Sequence, residues 1–71
     1  MTRDEWIGAF ARELGLSPPD DEQVNAILEL AATAAHSSER TAAPLAAWLA
    51  GTSGRSLSDL NAVAARVSDA G

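Results

Sequence analysis

Apolar side chains recur along the chain at helical spacing, and four segments carry this pattern. In the first segment they fall at positions i, i+1, i+4 and i+8, namely at Trp6, Ile7, Phe10 and Leu14. Thr2 followed by Glu5 is a capping-box pattern, and Gly15 can adopt the positive φ that ends many helices. The first segment therefore predicts a helix over about residues 3–14.

The second segment has the most regular apolar stripe. Its members repeat with a period close to 3.6 residues: Val24, Ile27, Leu28, Ala31, Ala34 and Ala35. Asp20 and Gln23 supply another capping pair, so the stripe predicts a helix over about residues 21–38. Its alanine half would let a neighbouring helix approach closely. We expect this helix to be central, and Leu28→Ala to cost about 2–5 kcal/mol of stability.

The third segment follows a polar break and is short. Thr41 is the expected N-cap, and Pro44 falls in the first turn, where a missing backbone N–H is tolerated. Gly51 is the expected stop, so the segment predicts a short helix over about residues 42–50. Because a first-turn proline is permitted rather than required, Pro44→Ala should have only a mild effect.

The fourth segment begins after a polar loop that contains glycine. Ser56 with Asp59 repeats the capping logic of the first helix. The apolar face consists of Leu57, Leu60, Val63, Ala64 and Val67. This segment predicts a helix over about residues 57–68.

The four segments and the composition predict the same fold class. The chain has sixteen alanines and almost no runs of β-branched residues, which favours helix over strand. Short connections make neighbouring helices pack against one another. We therefore expect an all-α fold, a small four-helix bundle with one short helix and no sheet, formed by residues 1–71 as a single domain.

Charge limits the classes of partner. The net charge is −5, and the chain has no lysine. Its cations are scattered singly, as Arg3, Arg12, Arg40, Arg55 and Arg66. Nucleic acids and anionic membranes require clustered cations, so both are disfavoured as partners. An acidic chain suits solubility or a partner with a basic patch. No apolar run approaches 18 residues and no signal peptide is evident, so we expect a cytoplasmic protein.

Candidate chemistry is sparse. His36 is the only imidazole and the chain has no cysteine, so a structural zinc site is not expected. A structural role for His36 at a helix end is favoured over a catalytic one. The acidic residues 20–22 lack the spacing of a calcium loop, and residues 52–56 lack the spacing and lysine of a phosphate-binding loop. Arg55 keeps a weak anion-site reading open. We expect no catalytic residues, no metal and no cofactor.

Two tryptophans are large side chains for so small a chain. Each of Trp6 and Trp48 can anchor either a core or a partner. We expect both in the core, with the weaker case for Trp48, because its helix is short and rich in alanine. A chain of 71 residues is near the size limit for an unaided core. A dimer, or docking onto a larger protein, would add buried area.

Several short motifs bear a family resemblance. The most specific is A-H-x-x-x-R-x-A-A-P-L, which runs over residues 35–45, and it is accompanied by E-L-G-L at 13–16, L-E-L-A at 28–31 and L-A-G at 49–51. With these motifs the chain resembles a small actinobacterial domain of unknown function, found alone or fused to molybdenum cofactor guanylyltransferase. Thr41 stands where that family often has proline, and Trp48 where it often has phenylalanine or tyrosine.

The resemblance implies a context rather than an activity. It suggests a non-enzymatic accessory module whose protein partner is the molybdenum cofactor guanylyltransferase or a molybdoenzyme maturation factor. The family's His, Arg and Pro match His36, Arg40 and Pro44; with Trp48 and Arg55 they form the candidate partner or ligand surface. Two alternatives stay open: a domain that binds a pterin or nucleotide through Arg40, Arg55 and His36, or a bare oligomerisation domain such as a homodimer.

Overall fold

The first helix is fixed at both ends by its own sequence. Helix α1 spans Arg3–Glu13 in the computed structural model, which describes residues 1–70. The Glu5 backbone N–H donates to Thr2 Oγ1 at 3.1 Å, and the Thr2 N–H donates to the Glu5 carboxylate at 2.9 Å, which confirms the capping box. Gly15 has φ +72°, and the Leu16 N–H donates to the Ala11 carbonyl at 2.8 Å. This is a Schellman ending, with the glycine at the expected position.

The second helix repeats this capping logic and then becomes the centre of the fold. Helix α2 spans Asp21–Ser37, with a complete capping box between Asp20 and Gln23. Helix α3 spans Ala42–Ser53 and helix α4 spans Leu57–Ala70, and both pack against α2. No strand occurs in residues 1–70, so the expected all-α bundle is confirmed. The α4 start is also confirmed, since Ser56 Oγ accepts from the Asp59 N–H at 3.2 Å.

The third helix differs from expectation at both ends. Thr41 has helical backbone angles and makes no side-chain capping bond; instead the Ala42 N–H donates to the Glu39 carbonyl at 2.9 Å. Gly51 does not stop α3, which continues to Ser53 and ends at Gly54, where φ is +73°. At twelve residues, α3 is not shorter than the eleven-residue α1.

Two side-chain hydroxyls form hydrogen bonds within the extra turn of α3. The Thr52 hydroxyl donates to the Trp48 carbonyl at 2.9 Å, and the Ser53 hydroxyl donates to the Ala50 carbonyl at 2.8 Å. These bonds occupy carbonyls that a helix end at Gly51 would leave free. Both glycines could have ended the helix, and the one that takes the left-handed conformation is the later one.

Helix α2 packs on two sides rather than one. Its Val24, Ile27 and Leu28 lie beside α1 around a shallow cavity of about 410 Å³. Leu30, two residues on and therefore about 200° further around the axis, faces α3 and α4. Leu30 is only 6% exposed, whereas Leu28 is 48% exposed, because α1 covers its side of α2 incompletely. Helix α2 is central as expected, but Leu28 is too exposed for the cost that the sequence predicted for Leu28→Ala, and Leu30 is the better-buried residue.

Polar bonds hold α4 on α2 at two levels. The Asn61 side-chain amide donates to the Ala26 carbonyl of α2 and to the Leu57 carbonyl of its own helix, each at 3.1 Å. Near the other end of α4, the hydroxyls of Ser37 and Ser68 lie 2.7 Å apart. The orientation of α4 therefore depends on specific bonds as well as on its apolar face.

Leu30→Ala should cost about 2–4 kcal/mol of unfolding free energy, because it removes the best-buried large side chain. The matched variant Leu28→Ala should cost about 1 kcal/mol or less, since half of that side chain is already in water. Urea unfolding followed by circular dichroism measures both changes. Equal midpoints for the two variants would contradict the packing described here.

Gly51→Ala should stabilise the chain by about 0.5–1 kcal/mol, because Gly51 is inside a helix and an added Cβ meets no atom within 4 Å. Gly54→Ala should destabilise it by about 1 kcal/mol, because an L-residue is strained at positive φ. Thermal unfolding of the two variants checks the pair. A stabilising Gly54→Ala would show that α3 does not end there.

The capping box also predicts a pH dependence. Hydrogen bonds to the backbone and side chain of Thr2 lower the pKa of the exposed Glu5 carboxyl below its ordinary value. The contribution of Glu5 to stability is therefore present above its unfolded-state pKa and is lost as pH falls through the folded-state pKa. Wild type should lose more stability on acidification than Glu5→Gln, whose amide keeps the cap but does not titrate. Parallel urea midpoints across the acid range would contradict this.

Candidate interaction surfaces

A wide apolar groove lies between α3 and α4, with α2 as its floor. Its volume is about 920 Å³. Both helices pack on α2 but not comparably on each other, so the groove stays open along its length. Leu30 and Ala34 belong to its floor, and the walls include Leu45 and Leu49 from α3 and Val63 and Val67 from α4.

Large and small side chains alternate around this groove. Leu45, Leu49 and Val67 are all more than half exposed at its edges. The positions between and opposite them are alanines, which leave room for another side chain: Ala34, Ala42, Ala46, Ala50 and Ala64. The sequence placed Val67 on the apolar face of its helix, but neither this valine nor the two leucines are buried. The sequence did contain an indication of this exposure, because it has too few large apolar residues to cover the apolar faces of α3 and α4.

One charged residue, Arg55, lies at the margin of the groove. Its guanidinium contacts the Asp59 carboxylate at 3.3 Å, one turn along the start of α4, and both side chains are about half exposed. The Arg55 backbone N–H donates to Ser53 Oγ at 3.1 Å. An exposed pair of this kind contributes little to stability. The ion pair does, however, neutralise the one cation that the groove could offer to an anionic ligand.

The other candidate residues lie outside the groove. Pro44 and Trp48 are four residues apart in α3 and share a face that lies about 100° around the helix from Leu45 and Leu49 and does not line the groove. Arg40 lies in the turn that leads into α3, and its carbonyl accepts from the Ala43 N–H at 3.2 Å. All of these side chains are exposed. The structure thus separates Arg55 from the other four candidate residues, and we call the face formed by Arg40, Pro44 and Trp48 the outer α3 face.

His36 lies in the last turn of α2 and is exposed. A structural role for His36 at the helix end stays a prediction. His36 does not line the groove between α3 and α4. Within residues 1–70 there is no group of three or more His, Cys, Asp or Glu side chains arranged to hold a metal ion.

Both tryptophans were expected in the core, and the structure corrects this. Trp48 is 69% exposed on α3, and Trp6 is about half exposed on α1. Trp6 stacks on Phe10, with ring centroids 5.0 Å apart and an interplanar angle of 27°. Because α1 packs only lightly on the remaining helices, this aromatic pair is held largely by its own stacking.

None of the helices within residues 1–70 combines the length and the apolar character needed to cross a bilayer.

The whole chain, residues 1–71, matches the family model described as "Domain of unknown function (DUF6457)". The chain belongs to this family. The match confirms the expected membership in a family of domains of unknown function. Comparison with curated proteins and with solved structures gives no match. The family description names no activity, ligand or partner.

Proposed function

We propose that this chain is a non-enzymatic protein-interaction module that acts in the cytoplasm. The supporting observation is the exposure of Trp48 on the outer α3 face, beside Pro44 and close in sequence to Arg40. Tryptophan and arginine are enriched among the residues that dominate binding energies at protein interfaces. A large aromatic side chain that is 69% exposed contributes little to the fold and is free to anchor a partner.

We further propose that the partner belongs to the assembly of molybdenum cofactor guanine dinucleotide or to molybdoenzyme maturation. The support is the resemblance of the A-H-x-x-x-R-x-A-A-P-L motif to an actinobacterial domain that also occurs fused to molybdenum cofactor guanylyltransferase. A fused domain and a free domain of the same family can contact the same protein. The motif covers the end of α2 and the first turn of α3, and so leads directly into the outer α3 face.

The alternative of a pterin or nucleotide site has less support from the geometry. It required Arg40, Arg55 and His36 around one ligand. Arg55 lies at the groove and contacts Asp59, whereas the other two lie outside the groove. Most of the groove surface is apolar, and the one cation that lines it is already paired with a carboxylate, so the groove offers no unpaired positive charge to an anionic phosphate.

Binding of the purified chain to the molybdenum cofactor guanylyltransferase of the same organism, measured by titration calorimetry, tests this proposal. Trp48→Ala should weaken the affinity by about tenfold or more, because the anchor is removed. Trp6→Ala is the matched control; it removes the other exposed tryptophan and should change the affinity by less than about threefold. Circular dichroism confirms that both variants remain helical.

Absence of heat at protein concentrations of about 100 µM, where an interaction of micromolar affinity is saturated, would contradict the choice of partner. An equal loss of affinity in the Trp48 and Trp6 variants would contradict the choice of surface. Neither result tests a role for the groove between α3 and α4, because Trp48 does not line it.

A further inference from the structure

We propose that the groove between α3 and α4 is filled by the same groove of a second copy of this chain, so that two copies form a symmetric dimer. This inference does not rest on the partner proposed above, because it uses the inner side of α3 and leaves the outer α3 face free. It concerns Leu45, Leu49 and Val67, large apolar side chains that the isolated fold leaves more than half exposed.

The surface area of the chain is the first argument. Its accessible surface is 5500 Å² at a mass of 7.3 kDa. The scaling for folded monomers gives about 4,200 Å² at this mass, so the chain exposes about 1,300 Å² more than expected. The radius of gyration, 12.9 Å, is likewise larger than the value of about 11 Å for a compact domain of this length. A standard interface removes about 800 Å² from each partner, which is less than this excess, and the exposed groove side chains contribute to the excess together with those of the lightly packed α1.

The apolar pattern of the groove is the second argument. Leu45, Leu49 and Val67 project at its edges, and alanines leave hollows between them. A surface that carries both projections and hollows can complement itself when a two-fold axis brings two copies together. The alanines of α3 also let helices from two copies approach closely.

The distribution of charge is the third argument. The chain has ten acidic residues and five arginines, and seven of those acids but only two arginines lie in residues 1–29. Residues 30–71 hold three acids and three arginines, so the half that builds the groove is neutral. Two copies can therefore meet there without like-charge repulsion, although each carries a net charge of −5. A groove for a basic helix would be expected to have an acidic rim, and this one does not.

Sedimentation equilibrium of the full chain, over concentrations from micromolar to about millimolar, tests the inference. Wild type should approach twice the chain mass of 7.3 kDa. Leu45→Glu should raise the dimer dissociation constant by at least about tenfold, because it places a charge in the apolar contact. The substitution suits the fold, since position 45 lies near the N-terminus of α3, where an acid is favourable.

Leu16→Glu is the matched control. Leu16 is 64% exposed and Leu45 is 66% exposed, but Leu16 follows α1 and does not line the groove. The dimer dissociation constant of the Leu16→Glu variant should stay within about twofold of the wild-type value. A wild-type chain that remains monomeric up to about millimolar concentration would overturn the inference. An equal effect of the two variants would overturn the assignment of the dimer to the groove.

A second measurement needs no destabilising change. The chain has no cysteine within residues 1–70, so one introduced thiol carries a spin label specifically. A label on Ala42→Cys, which lines the groove and removes no side-chain hydrogen bond, should broaden the α3 and α4 amide signals of a ¹⁵N-labelled wild-type partner copy. A label on Ser17→Cys should not. Broadening confined to α1, or broadening from neither label, would overturn the inference.

Discussion

The fold depends on the contact between the second half of α2 and the two helices that follow it. Leu30 is the one large side chain that this contact buries nearly completely, and the residues after it on that side of α2 are small. Small residues let α3 and α4 approach the α2 backbone, but they contribute little buried area. Because α2 is occupied by both helices, α3 and α4 have nothing with which to cover their remaining apolar sides. The groove is a consequence of building four helices from alanine-rich sequence.

Local features of the fold could be predicted from sequence because they depend on residues within one turn. The capping boxes at Thr2 and Asp20 and the glycine ending at Gly15 involve atoms three to five positions apart. The end of α3 could not be predicted in the same way. Gly51 and Gly54 have equal intrinsic ability to end a helix, and the hydroxyls of Thr52 and Ser53 extend it past the first of them.

The direction in which each helix faces could not be predicted, because it depends on what packs against the helix. A single stripe on α2 suggested one buried side that contains Leu28. Instead, α1 lies on one side of α2, and α3 and α4 pack on the other. Only the side that faces α3 and α4 is well covered. The same limit applies to the candidate site. The sequence assigned Arg55 and Trp48 to one surface, whereas the structure places Arg55, which follows α3, at the groove and Trp48, within α3, outside the groove lining.

Helix α3 can serve two partners because adjacent positions on a helix are about 100° apart. Leu49 lines the groove and Trp48 lies on the outer α3 face, although they are neighbours in sequence. The two proposed contacts would also support each other. Packing against a second copy would stabilise the folded chain by mass action and hold α3 in place. A helix held in this way loses less conformational freedom when the outer α3 face binds a partner, so less of the contact energy is spent on ordering it.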